Sequence, residues 1–594
     1  MPGPNSIPAA KAKNIKYAFK ELIKSTKKWH WWIAFASVLS AASAIVNVFV
    51  PKILGDMTTS AVDSLQTTGA VDWGPITSSL ITLIILFAVT SVLNYGQGLI
   101  LAIVTAKYTK LLRDRILDKI TRLPISYFDK HQFGDTLSRM SNDIDILVNS
   151  FSQEIDEIIS SLATLVGVTI MMVIISVPLS IIAFVTIPLS VFCVGKITTY
   201  AQKFFSAQQT ILGELNSHIE EDYSGQLVIK ANSYEPTAIE KFEGVNKRLA
   251  ETARKAQFFS SLSMPVTHIF TNLSYVAICI AGGYSVINGG ITIGNLQAFL
   301  QYTSRFNRPI AELAETTAVI QLMLAASERI FEFLNETEET PDSENAQTIN
   351  KVKGAVEFHD VCFSYDKIKP IIKNFSAKIE PGMQVAIVGP TGAGKTTIIN
   401  LLMRFYDPDS GFITIDGVPT KEMKRSDVRK LFGMVLQDTW LFSGTVEENL
   451  SYGKQDASLE EIKRAAKTSD INHVIESLPH SYKTIISEDS DNISAGEKQL
   501  LTIARAMVAN PPMMILDEAT SNVDTRTEQL IQDAFEKLTS DRTSFVIAHR
   551  LSTIRNADLI LVMRDGNIVE QGNHEKLLKA GGFYAELYNS QFKE

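Results

Sequence analysis

The sequence predicts an α-helical membrane domain of six transmembrane helices with long cytoplasmic extensions, fused to an α/β P-loop domain. Three observations carry that prediction. Long runs without a single Lys, Arg, Asp or Glu fill much of the first half. In the second half, a strand-like run enters Gly389-Pro390-Thr391-Gly392-Ala393-Gly394-Lys395-Thr396 and leaves as a helical pattern. At 594 residues the chain is too long for one ordinary domain, and its slightly positive mean hydropathy averages two unlike halves.

A spanning helix needs about 20 mostly apolar residues. Six such segments are expected within a membrane domain of residues 1–334, at approximately 31–53, 76–106, 158–176, 178–195, 262–288 and 291–322. The run from Ile158 to Gly195 is free of charge and long enough for two helices turned at Val177-Pro178. The run from Ala256 to Ser304 is divided by Gly289 and Gly290, and its last helix is expected to continue past Arg305 to about Leu334. Charge-free stretches of this length, arranged in three pairs of spans, exceed what a soluble core needs. No Lys or Arg lies between Lys52 and Lys107, and the loop between the first two spans carries Asp56, Asp63 and Asp72. The positive-inside rule then expects a multi-pass protein of the cell membrane with both termini in the cytoplasm. Lys11, Lys13, Lys16, Lys20, Lys24, Lys27 and Lys28 precede the first span in a partly amphipathic stretch. No small-residue cleavage site follows, so the stretch is expected on the cytoplasmic membrane surface and not as a signal peptide.

Between the spans lie two charged, helix-forming connections, 105–157 and 196–255, long enough to form hairpins reaching well below the bilayer. Tyr127-Phe128-Asp129 with Gly134-Asp135, and Tyr223-Ser224-Gly225 with Gln226, suit short turns that dock on a soluble domain. The acidic stretch 335–350 reads as a solvated linker, ahead of a nucleotide-binding domain at 351–594. Cys193, Cys279 and Cys362 have no metal-ligand spacing and read as small buried hydrophobes. A formal net charge of −8 gives no reason to expect nucleic acid as a partner.

Gln384–Val388 leading into Gly389–Thr396, with a helix from Thr397, is a P-loop in strand–loop–helix context. Its glycines let backbone N–H groups turn inward around phosphate oxygens, so Gly389, Pro390, Thr391, Gly392, Ala393, Gly394, Lys395, Thr396 and Thr397 are expected to hold ATP. Lys395 is placed to reach the β- and γ-phosphates, and the Thr396 hydroxyl to ligate Mg²⁺. A second apolar strand, Met513–Leu516, ends at Asp517-Glu518. Asp517 is expected to hold Mg²⁺ through water, and Glu518 to polarise the attacking water.

From here the second half resembles the nucleotide-binding domain of the ATP-binding cassette (ABC) family, and the whole chain resembles an ABC exporter half-transporter of the multidrug type. Five further elements match in order. Tyr365 is similar to the aromatic that stacks on adenine. Gln437 matches the glutamine that links Mg²⁺ to the transmembrane helices. Ile493-Ser494-Ala495-Gly496-Glu497 sits where the family has Leu-Ser-Gly-Gly-Gln, Ser521–Asp524 matches the D-loop, and His549 the switch histidine at the γ-phosphate. The resemblance implies that Ser494 and Gly496 bind the γ-phosphate of the other domain's ATP, with Asp524 beside them. Two domains then sandwich two ATP molecules, so a second half-transporter is required. It also implies that the turns near Phe128 and Gly225 are coupling helices.

The signature departs from the family at Ala495 and Glu497. A methyl group where backbone approaches phosphate, and a carboxylate near a triphosphate, both weaken that half-site. Beside intact Lys395, Asp517, Glu518 and His549, this pattern resembles one chain of a heterodimer; the other reading is a tolerated variant in a homodimer. The expected activity is ATP-driven export of apolar or amphipathic compounds, drugs or lipids. A dedicated lipid or peptide exporter and an ATP-gated channel or sensor are the alternatives. The segment before the first span has no feature of a processing protease, so leader-peptide export is not expected. Polar or aromatic groups within spans, Asn47, Tyr95, His268, Asn272, Tyr275, Gln297, Gln301 and Arg305, are candidates for contact with a hydrophobic small-molecule substrate or membrane lipid. Helix–helix hydrogen bonding is the competing use for each.

Overall fold

Residues Trp73–Arg122 form a single helix of 50 residues. At 1.5 Å per residue it is ~75 Å long, more than twice the ~30 Å hydrocarbon core of a bilayer. Its sequence changes where the membrane would end: apolar to Ala106, then Lys107, Lys110, Arg113 and Arg115. This is a computed structural model, and it describes residues 14–592 apart from Gln132, Asn350 and residues 367–368, 437–438, 488–492, 518–524 and 549–550. Among the described residues, six helical stretches are long and apolar enough to cross a membrane: Ile15–Thr68, Trp73–Arg122, Thr136–Ile175, Val177–Ser224, Glu235–Ile287 and Ile293–Leu334. The chain divides into two units, one of Met1–Thr121 with Phe133–Glu336, the other of Arg122–Gln132 with Thr337–Glu594.

In the first unit, Val48, Val168, Met172, Leu179, Ile278, Phe299 and Tyr302 form a shared apolar core. The first span is broken at Phe49, between helices His30–Val48 and Val50–Thr68. Pro51 has no N–H to offer the Asn47 carbonyl four residues back. Arg305 Nη1 donates to that carbonyl at 3.0 Å, and the Tyr302 hydroxyl donates to the Val48 carbonyl at 2.6 Å. The last span therefore repairs a gap in the first. Helix Val50–Thr68 carries Asp56 and Asp63 and ends at Gly69, whose φ is +71°; the acidic loop expected there is mostly helix. Close approach of Gly55 to Gly294 ties this helix to Ile293–Leu334: a Cβ on Gly55 would stand 2.2 Å from the Gly294 oxygen. The third and fourth spans turn at Ser176, with Pro178 in the first turn of the next helix.

The second unit is built on a six-stranded sheet in the order Asn567–Gly572, Leu559–Arg564, Gln384–Val388, Thr543–Ile547, Met513–Asp517, Phe432–Val435. Every pairing is parallel except that of the first edge strand. Strand alternation sends Val385 and Ile387 to one face and Ala386 and Val388 to the other. The first face packs on helix Lys395–Leu402 and on an antiparallel sheet containing Val356–Phe363 and Ile372–Ile379. Opposite it, Met514, Leu516 and Val546 pack on helices that include Leu459–Thr468 and Ala495–Ala509.

The acidic stretch after Leu334, expected to be solvated, is largely exposed, and arginines pin it at a few points. Arg425 donates to the Thr340 carbonyl at 2.5 Å, and Arg429 to Glu339 at 2.9 Å. Arg404, itself buried, lies 3.7 Å from Asp342. The three cysteines are half-buried, not fully buried as expected. Cys362 accepts the Asn374 N–H at 3.3 Å, a hydrogen-bonded position.

Candidate functional site

Parallel strands bring their C-terminal ends to one edge, where an α/β sheet binds ligands. Ile547 is in register with Ile387 on one side and with Asp517 on the other. The P-loop leaving Val388 and the carboxylate of Asp517 therefore meet at the same edge, one strand apart. Gly394 caps helix Lys395–Leu402 with φ +102°, which only glycine adopts without strain. A Cβ on Gly389 would come within 2.3 Å of the Met563 oxygen, so the loop's first residue must also lack a side chain.

Lys395 Nζ donates to the Gly389 carbonyl at 2.6 Å and reaches the Pro390 carbonyl at 3.4 Å. Burial holds its ammonium below the ordinary lysine range, and the Asp517 carboxylate pulls the other way. The lysine is thus half-desolvated inside the loop it serves, and phosphate oxygens would replace the stabilisation that it loses with its water. Thr396, exposed on the first turn of the helix, and Asp517 are both hard oxygen donors, a set that fits Mg²⁺. Thr397 is buried, and its hydroxyl lies 3.2 Å from the Tyr365 hydroxyl. Tyr365 also accepts from Asn400 at 3.3 Å and stands edge-on to Phe363 and Tyr406, with centroids 4.9 Å and 5.0 Å away. An exposed aromatic is thereby fixed beside the P-loop helix.

The signature segment sits at the N-terminus of helix Ala495–Ala509, with Ile493 in the core beneath it. Ser494 is the N-cap. Its hydroxyl accepts the Glu497 N–H at 3.3 Å, and the Glu497 carboxylate accepts both the Ser494 N–H and the Ser494 hydroxyl at 2.8 Å. This is a complete capping box. A carboxylate of the chain itself covers donors at a helix end suited to anions. Gly496 is buried in the first turn. Gln437, Glu518, Asp524 and His549 lie outside the described residues.

Two contributors carry no local motif. Arg505, eleven residues after Ser494, donates to the Asn449 and Trp440 carbonyls at 2.9 Å and 3.0 Å, and stacks over Phe442 and Tyr452. It ties the signature helix to the segment that follows Gln437. Tyr406 donates its hydroxyl to Asp129 in the short helix Ile125–Lys130 between the second and third spans.

The candidate cavity residues scatter. His268, Asn272 and Tyr275 are exposed at intervals of four and three along Ser263–Ile287, hence on one face. Gln297 accepts from Thr58 at 2.5 Å, and Arg305 is engaged with the Asn47 backbone. Gln301 is half-buried and Tyr95 exposed.

Residues 33–310 match the family model described as ABC transporter transmembrane region, and residues 372–521 the one described as ABC transporter. A fatty acid ABC transporter ATP-binding/permease protein of Mycobacterium bovis is 46% identical over 517 residues, covering 87% of this chain and 82% of that protein. An ATP-dependent lipid A-core flippase of Syntrophus aciditrophicus is 34% identical over 514 residues, covering 86% and 85%. Among solved structures, a bacterial Atm1-family ABC exporter with ATP bound superposes with a TM-score of 0.71 at 27% identity, over 97% of this chain and 99% of that one.

Proposed function

This chain belongs to the ABC transporter family, as an ATPase-coupled exporter half with one membrane domain and one ATP-binding domain, and from that premise we propose what it carries and with what it pairs. The proposed cargo is an amphiphile with an acyl or similarly apolar body, moved from the cytoplasmic side outward, with both termini in the cytoplasm. Support comes from relatives named for a fatty acid and for lipid A-core, and from the exposed polar face of His268, Asn272 and Tyr275 on an otherwise apolar span.

The observation that carries the ATPase reading is the meeting of Lys395 and Asp517 at one edge of the sheet. Lys395 would neutralise the phosphates, while Thr396 and Asp517 would hold Mg²⁺. When bound, Mg²⁺ supplies positive charge that stabilises the phosphoryl group in flight. Tyr365 would stack on the base. Glu518 is proposed as the group that polarises the attacking water, Gln437 and His549 as its helpers, and Asp524 as a contact across the dimer. Exporters of this family work as dimers; the partner proposed here is a different chain, because Glu497 seats its own carboxylate on Ser494.

Reconstituted with its partner, the transporter is expected to accumulate a fluorescent fatty acid in inverted vesicles only with ATP and Mg²⁺. Glu518→Gln should lower turnover roughly 10²-fold or more while ATP stays bound. Near-normal hydrolysis in that variant would remove Glu518 from the role. Ion current without stoichiometric hydrolysis would point to a channel.

A further inference from the structure

The N-terminal helices and the Trp73–Arg122 helix line a half-open cavity of about 850 Å³ that includes no residue of the ATP site. On the long helix its wall runs through Ile100, Ile103 or Val104, Lys107, Lys110 or Leu111, and Arg115, steps of three and four that keep these residues on one face. That face covers ~22 Å and changes character midway, apolar within the span and basic just beyond it. The opposite wall repeats the gradient in the reverse chain direction, from Lys24 and Lys28 to Trp29 and Trp32. The two walls are pinned together at the change of character. Ser25 Oγ and the Tyr108 hydroxyl are 2.6 Å apart, and the Trp29 and Tyr108 rings meet edge to face at 5.6 Å.

The cations here are under-used. Among the described residues Lys28, Lys107, Lys110 and Arg115 make no salt bridge, and Lys24 has only exposed Glu21 at 3.8 Å. Lys28 lies 5.9 Å from the Trp29 ring centroid. Asp114 is the one acidic residue on the wall, against five basic ones. A free soluble anion would leave the apolar half of the cavity without a partner. A neutral apolar compound would do the same to the basic half. A bilayer phospholipid presents chains and phosphate in that order and at that depth.

We propose that this cavity is a seat for one anionic phospholipid of the cytoplasmic leaflet, its phosphate held by Lys28, Lys107, Lys110 and Arg115 and its upper chains lying against Trp32, Ile100 and Ile103. The proposal rests on the cytoplasmic placement of the N-terminus given above. It assigns the site to a resident lipid, not to cargo.

The test uses the full transporter in nanodiscs of phosphatidylcholine with a minor share of phosphatidylglycerol, and counts retained lipids by native mass spectrometry. Wild type is expected to retain phosphatidylglycerol with a preference of roughly 5-fold per engaged cation before screening. Lys28→Gln, Lys107→Gln, Lys110→Gln and Arg115→Gln combined should abolish the preference; Lys107→Gln and Lys110→Gln alone should each lower it, should the combined variant not fold. Brominated phosphatidylglycerol confined to the leaflet facing the ATP-binding domain should quench the tryptophan fluorescence of a variant keeping only Trp29 and Trp32. Equal retention of both lipids, an unchanged preference in the variants, or quenching from the opposite leaflet alone would each overturn the proposal. One-for-one displacement by oleate would also overturn it, by making the cavity a station for cargo. Transport measured after the same preparations are reconstituted into closed vesicles separates the two readings: lost transport with an intact preference speaks against the proposed function alone.

Discussion

Glu497 does two things through one carboxylate. It completes the cap on the signature helix, and it places negative charge where a partner's γ-phosphate is proposed to arrive. Glutamine in its place keeps an oxygen for the Ser494 N–H but removes the charge. Glu497→Gln is therefore expected to change stability by less than ~1 kcal/mol, the scale of one cap. Nucleotide trapping at the site capped by this signature should rise several-fold. Ala495→Gly should add to it by freeing backbone approach. Unchanged trapping in both variants would show that the carboxylate swings aside at no cost. Lys395→Ala tests the other end of the site: losing a cation that meets phosphate should weaken ATP binding at least ~10-fold. Unchanged affinity, measured by titration, would mean the P-loop holds nucleotide through its backbone alone.

At the scale of elements, Tyr406 links three of them. Its ring meets Phe363 and Tyr365, and its hydroxyl donates to Asp129 in the short helix Ile125–Lys130. Burial, and then the Asp129 carboxylate, push its ionisation upward, so it remains a donor throughout the working pH range. Tyr406→Phe keeps the ring contacts and removes one charge-assisted hydrogen bond, of the order of 1.5–3 kcal/mol. ATP affinity should hold within about 2-fold, since the Tyr365 packing survives, while stimulation of hydrolysis by cargo falls. Amide exchange at Tyr127–Asp129 should quicken. Full stimulation with unchanged exchange would reduce the contact to simple packing. No sequence signal marked this residue, because its partner lies 277 positions away. The P-loop was legible because strand, glycines and helix are contiguous, and the spans because charge-free length needs no partner. The 335–350 stretch is largely exposed, as a solvated linker is, but composition shows its acidic residues and not that Arg425 and Arg429 stand opposite Thr340 and Glu339. Pro51 leaves the Asn47 carbonyl without its usual helical donor, a gap that was not read from the sequence. That Arg305, 258 positions on, would satisfy it required the fold, and it moved Arg305 from candidate cargo contact to helix repair.

For the whole molecule, the decisive question is what the second ATP site looks like. The turn between the second and third spans is engaged within the unit that carries the P-loop, whereas the turn between the fourth and fifth ends in Tyr223 and Leu227, 84% and 83% exposed, with Val228 beside them. Exposed apolar tips of this kind mark a surface made for another chain. If that chain differs from this one, its own signature should carry glycine and glutamine where this chain has Ala495 and Glu497, and it should lack a glutamate after its second-strand aspartate. The site built from Lys395 and Glu518 would then hydrolyse, and the one capped by Ser494 would hold ATP and turn it over slowly. Co-purification from native membranes should recover such a partner in equal amount. Leu227→Asp should reduce coupled hydrolysis without lowering ATP affinity at Lys395. Expressed alone, this chain should give little cargo-stimulated ATPase activity, because each of its two identical sites would be capped by Glu497. Brisk, cargo-stimulated hydrolysis by a purified homodimer would instead show that closure displaces the Glu497 carboxylate from Ser494, and the case for an unlike partner would fall with it.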